Sequence, residues 1–167
     1  PTPAARRHKA VRPASIEVSP PLEPTETITP VDADELAALI SPGGAFAASF
    51  PGYEYRPQQV EMLRTVCEAL NLPSHLLVEA GTGTGKTLAY LVPAIRFATQ
   101  NGRRVVISSN TINLQDQLFQ KDIPDLQRIL DIPFRAALLK GRANYLCLRR
   151  LEAFRRSRQL TADQARV

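Results

Sequence analysis

The sequence predicts an α/β fold with a parallel sheet, preceded by a disordered, proline-rich linker. Three observations carry this expectation. Short apolar runs alternate with helical patterns from residue 58 onward. A glycine-rich loop joins the first of these runs to an apolar helix. Nine of the 14 prolines fall in the first 51 residues, so the core must come mostly from the remainder.

The elements follow in order. Residues 1–30 combine prolines, Ser/Thr and a basic cluster (Arg6, Arg7, Lys9) with almost no large apolar side chains. Such a stretch buries too little surface to offset its ordering entropy, which predicts an extended tether. Asp32 to Ile40 reads as a short helix, capped by Asp32 or Asp34 and ended by Ser41-Pro-Gly-Gly. Residues 51–57 are irregular. Gln58 to Leu70 is a helix with Leu63, Val66, Cys67 and Leu70 on one stripe. Leu76 to Val78 is a short strand, Gly81 to Gly85 a loop, and Lys86 to Thr99 a helix containing Pro93. Arg104 to Ser108 is a second strand and Thr111 to Lys121 a helix. Ala136 to Leu139 is a third apolar run, and Asn144 to Ser157 a basic helix.

Charge divides the chain. Among 167 residues the net charge is +5, yet residues 1–50 hold four Lys/Arg and six Asp/Glu. The rest carries a balance of +7, which suits a polyanion such as nucleic acid and equally serves solubility. The region from Arg135 to Arg158 sets eight Lys/Arg against Glu152 alone. The two cysteines, Cys67 and Cys147, match no disulfide-rich secreted pattern, and no apolar run approaches the length of a membrane span. A reducing cytoplasm is the expected location, with no membrane partner. The start at Pro1 and the stop in a polar, helix-favouring stretch lead to the expectation of a piece cut from a longer protein.

The segment Ala80-Gly81-Thr82-Gly83-Thr84-Gly85-Lys86-Thr87 follows a strand and opens a helix. Glycines let the backbone wrap phosphate oxygens, and inward amides form an anion nest that the helix N-terminus reinforces. Lys86 is expected to reach the β- and γ-phosphates and the Thr87 hydroxyl to ligate Mg²⁺. The pattern is specific for a nucleoside triphosphate and unspecific about the enzyme that uses it. The strict form has glycine where this chain has Ala80.

Three further segments bring in a family. Arg56-Pro-Gln-Gln59-Val-Glu-Met62 resembles the Q-type motif of superfamily 2 helicases in the form of the DinG/XPD group. Residues 105–118, Val-Val-Ile-Ser-Ser-Asn-Thr-Ile-Asn-Leu-Gln-Asp-Gln-Leu, look like motif Ia of that group. Lys140-Gly-Arg142-Ala-Asn-Tyr-Leu-Cys147 resembles the start of the iron–sulfur domain in DinG-type helicases. The resemblance implies that Gln59 reads the adenine edge, with Tyr53 or Tyr55 stacking nearby. It implies that Ser109, Asn110, Thr111, Gln115 and Arg142 contact DNA, with Gln117 as a further candidate. It also implies that Cys147 is one of four thiolates on a [4Fe–4S] cluster. The alternative for Cys147 is a thiol packed with Leu151 and Phe154. Cys67 reads as packing only.

The expectation is therefore a partial RecA-like P-loop NTPase domain. Its segments are a linker (1–30), a short helix and Q-motif lead-in (31–57), part of motor domain 1 (58–139), and a basic helix at the iron–sulfur boundary (140–167). By resemblance the parent is an ATP-dependent DNA helicase that moves 5′ to 3′ on single-stranded DNA, in repair or replication. Its cofactors are ATP and Mg²⁺, and an exonuclease domain precedes the motor in some members. No Asp-Glu-x-His motif is present, so this chain alone is expected to bind ATP weakly and to turn over none. Two alternatives stand beside this reading: another P-loop phosphotransferase, and a non-catalytic module that binds ATP or nucleic acid. No guanine-reading Asn-Lys-x-Asp is found.

Overall fold

The computed structural model describes residues 20–72 and 74–156. The basic cluster of the expected linker and the residues beyond Arg156 lie outside them. Seven α-helices are present among the described residues. They are α1 (Ala33–Leu39), α2 (Ala45–Ser49), α3 (Pro57–Asn71), α4 (Lys86–Gln100), α5 (Ile112–Gln117), α6 (Ile123–Ile129) and α7 (Leu148–Arg156). A π-helical turn, Leu118–Asp122, joins α5 to α6, and a 3-10 turn, Arg142–Asn144, precedes α7.

Local chemistry sets where the helices start. Asp32 caps α1, its carboxylate accepting the amides of Asp34 and Glu35. Pro57 opens α3, where a missing N–H costs nothing. Leu63 and Cys67 of its expected stripe are fully buried, and Val66 and Leu70 are partly so. α4 continues through Pro93, which is buried. The core joins Leu36, Ile40, Phe46, Leu63, Ala89, Val92 and Leu126, with α3 against α4 as its main contact. Burial of Cys67 pushes its thiol up to about 11.

Residues 20–31, nearly all within the expected linker, run across the C-terminal ends of α3 and α4. Asn101, at the end of α4, accepts the Thr29 amide at 2.7 Å and donates to the Thr29 and Phe97 carbonyls. Asn71, the last residue of α3, makes the same paired contact with Val31, at 2.7 and 2.8 Å. With Gln100 donating to the Thr29 and Pro30 carbonyls at 2.8 and 2.9 Å, three side-chain amides hold the backbone of a segment with little apolar surface of its own. Composition carries no sign of such ties.

The sheet is where the structure departs most from expectation. None of the runs 76–78, 104–108 and 136–139 forms a strand ladder among the described residues. Leu77 is 99% exposed and Val106 88%. An apolar run signals burial on two faces, but a strand exists only with a neighbour to take its hydrogen bonds. Two helix boundaries also move. The helix expected to end at Lys121 continues as helical turns to Ile129, with Pro124 in the first turn of α6. The helix expected from Asn144 begins at Leu148, because residues 142–144 close a tighter turn on the Gly141 carbonyl.

Candidate nucleotide and nucleic-acid site

The loop from Ala80 to Thr87 leads into α4. Gly83 and Gly85 adopt left-handed φ angles of +80° and +75°, which side-chain-bearing residues rarely take. Thr84 closes the turn by donating its hydroxyl to the Gly81 carbonyl at 3.0 Å. Lys86 bends back over the loop. Its ammonium donates to the carbonyls of Ala80 at 2.7 Å and Gly81 at 2.6 Å. α4 has no side-chain cap, so no capping side chain occupies the amides of its first turn. A cation and a free helix N-terminus therefore converge on one turn.

Gln59 reaches this loop from α3. The residue is 2% exposed, and its amide nitrogen donates to the Gly85 carbonyl at 2.8 Å. The Tyr53 hydroxyl lies 3.3 Å from Gln59 Oε1 and donates to the Ile40 carbonyl at 2.8 Å. Burial raises the Tyr53 phenol above its ordinary value. In this arrangement both ends of the Gln59 amide are engaged by protein, and the Tyr53 ring packs beside Phe46. Of the two tyrosines expected near the base, Tyr55 is the more exposed. The left-handed φ demands glycine at residue 85, and a Cβ there would also push the Gln59 side-chain amide off the Gly85 carbonyl.

Thr87 sits in the first turn of α4. Burial raises the Tyr90 phenol one turn on, against the opposing influence of the Thr87 hydroxyl beside it. Asp122, in the π-helical turn, is also raised, chiefly by burial, and its Oδ2 is buried without a hydrogen-bond partner. No motif marks Tyr90 or Asp122 in the sequence. The position of Tyr90, three residues after Thr87, is the one available signal.

The residues expected to touch DNA lie on the following segment. Thr111 caps α5, accepting the Leu114 amide, and Ser109 donates to the Thr111 carbonyl at 3.2 Å. Asn110 and Arg142 are exposed, and Gln115 is half-buried. Cys147 is an exposed free thiol just before α7. Among the described residues no group of three or more His, Cys, Asp or Glu is placed to hold a metal.

The family model described as DEAD/DEAH box helicase matches residues 56–152, from the Arg56 that opens the Gln59 motif to the basic helix α7. The chain belongs to this family. Membership implies a RecA-like phosphate-loop fold, and residues 80–87 lie inside the match. Over 119 residues the chain is 45% identical to the ATP-dependent DNA helicase YoaA of Haemophilus influenzae, covering 71% of this chain and 18% of that protein. Over 111 residues it is 49% identical to the ATP-dependent helicase DinG of Mycobacterium tuberculosis, covering 64% and 17%. Over 108 residues it is 43% identical to the 3′-5′ exonuclease DinG of Bacillus subtilis, covering 65% and 12%. The chain thus spans less than a fifth of the length of these relatives. Among the described residues no helix is long and apolar enough to cross a membrane.

Proposed function

We propose that this chain is the nucleotide-binding front part of an ATP-dependent DNA helicase motor. The observation that carries the proposal is the Lys86 ammonium held inside the Gly81–Gly85 turn by two carbonyls. Those carbonyls are neutral acceptors. Triphosphate oxygens are charged and form shorter, stronger bonds with an ammonium, so they displace the carbonyls when ATP arrives. Residues 80–87 would then wrap the phosphates through their amides, and the Thr87 hydroxyl would hold Mg²⁺, which would supply charge neutralisation at the phosphates. Gln59 orients the loop through Gly85, and reading the adenine edge requires its amide to exchange the Gly85 and Tyr53 contacts for the base.

DNA is the second ligand. The hydroxyls and amide of Ser109, Asn110 and Thr111, with Gln115 and Arg142, supply donors for backbone phosphates. Single-stranded DNA, 5′-to-3′ movement, duplex unwinding and a place in repair or replication follow the resemblance to DinG-type helicases. So do the cytoplasmic location and an upstream exonuclease domain. The name of the Haemophilus influenzae relative, ATP-dependent DNA helicase, supports DNA as the substrate. The parallel sheet belongs to the same proposal: neighbouring strands from further chain cover Leu77 and Val106.

A [4Fe–4S] cluster needs four thiolates, and the chain offers one exposed thiol, Cys147. These residues alone do not make that site. Cys147 is proposed as one ligand only, and no step runs through a cluster.

The test is a titration with a fluorescent ATP analogue and Mg²⁺. Saturable binding that Lys86→Ala weakens by about 10- to 100-fold, the worth of one to two charge-assisted hydrogen bonds, supports the proposal. Binding indifferent to Lys86→Ala, with DNA affinity intact, favours a non-catalytic nucleic-acid module instead.

A further inference from the structure

The segment Lys140 to Tyr145 is a closed loop tied to α5 by one ion pair. The Lys140 ammonium meets the Asp116 carboxylate at 2.9 Å, across 24 residues, with both side chains partly buried. The main chain of the same lysine is also held, its amide donating to the Tyr145 hydroxyl at 2.9 Å. Inside the loop the Asn144 amide returns to the Gly141 carbonyl at 2.9 Å, and the Tyr145 amide to the Arg142 carbonyl at 3.3 Å. Arg142 stands in the middle of this loop. It is exposed and makes no ion pair among the described residues.

We propose that Lys140 and Asp116 form a positioning latch that holds Arg142 against the DNA-contacting face of α5. Asp116 directly follows Gln115, so the ion pair sets the loop beside the residues already proposed to touch the strand. The alternative use of a lysine in a basic segment is to bind phosphate itself. The geometry argues against this for Lys140, because its charge already meets a carboxylate and its backbone is fixed. Arg142, two residues on, is a cation with no ion pair among the described residues. The inference rests on the DNA reading above.

The experiment uses the intact protein and fluorescence anisotropy with a labelled oligothymidylate, at several salt concentrations. Arg142→Ala weakens DNA binding about threefold to tenfold and flattens the dependence of log K on log salt by roughly 0.7 for each phosphate no longer neutralised. Lys140→Met and Asp116→Asn each reproduce most of that loss, while affinity for a fluorescent ATP analogue stays unchanged. The exchanged pair, Lys140→Asp with Asp116→Lys, and the conservative Lys140→Arg both restore binding. Amide exchange at residues 140–145 accelerates in Asp116→Asn, which reports on the latch even if affinity measurements fail. If Asp116→Asn leaves DNA binding intact or tightens it while Lys140→Met weakens it, Lys140 is itself the phosphate ligand and the latch is wrong. If Arg142→Ala has no effect, the DNA reading of this loop fails and takes the latch with it.

Discussion

The half of this chain proposed to bind nucleotide and the half proposed to bind nucleic acid are built on different physics. Around the phosphate loop, α3 and α4 bury Leu63, Cys67, Ala89 and Val92 completely. Between Ile112 and Gln117, and again through α7, no residue is buried. There the 140–145 loop is tied by an ion pair and a tyrosine hydroxyl rather than by packing. The buried Gln59 amide holds the Gly85 end of the loop, and the exposed residues 81–83 are closed over by hydrogen bonds from Thr84 and Lys86. The other half is held by polar contacts that salt screens, and it leaves its cations for a partner.

The largest break in the comparison comes from the core. Phe46→Ala is expected to cost about 3–5 kcal/mol and Leu63→Ala about 2–5 kcal/mol in urea unfolding, whereas Leu148→Ala, on exposed α7, stays within about 0.5 kcal/mol. Equal costs on the two sides would erase the distinction.

High pH comes next. The folded Cys67 thiol is raised from 9.0 to about 11, so the stability it contributes is complete below pH 9 and is lost as pH climbs toward 11. A rise of that size corresponds to at most about 2–3 kcal/mol. Unfolding curves across that window should fall for the parent chain and flatten for Cys67→Ala.

Asn101→Ala tests the docked segment. Removing the amide takes the bond from the Thr29 N–H, while the Thr29 carbonyl keeps the Gln100 side chain at 2.8 Å, so the cost is about 0.5–1.5 kcal/mol. Faster amide exchange at Thr29 is the local readout. At the small end, Arg128→Ala removes an exposed ion pair with Asp125 and should change stability by less than about 0.5 kcal/mol.

The same division governs what is legible in the sequence. The helices around the loop can be read because their apolar residues repeat at helical spacing, and glycine, proline and aspartate punctuate their ends. The family too is legible, from Gln59, the glycine loop and Lys140 to Cys147. The strands are not. Leu76 to Val78 and Val105 to Ile107 have strand composition, but pairing is a property of two segments, and no ladder forms among the described residues. The docking of residues 20–31 is invisible because the side-chain amides of Asn71, Gln100 and Asn101 recognise its backbone, which any sequence carries. Lys140 and Asp116 lie 24 residues apart, beyond any local periodicity. Gln59 stands out for its motif, while its bond to Gly85 depends on how α3 packs on α4.

Hydrogen–deuterium exchange with and without ATP and Mg²⁺ tests most directly whether Lys86 and the surrounding amides close on a triphosphate. Slower exchange at the amides of residues 81–87 is expected on adding nucleotide, and Lys86→Ala should abolish it. Unchanged exchange there at saturating nucleotide, or protection appearing only in residues 140–156, would contradict a nucleotide site in this loop.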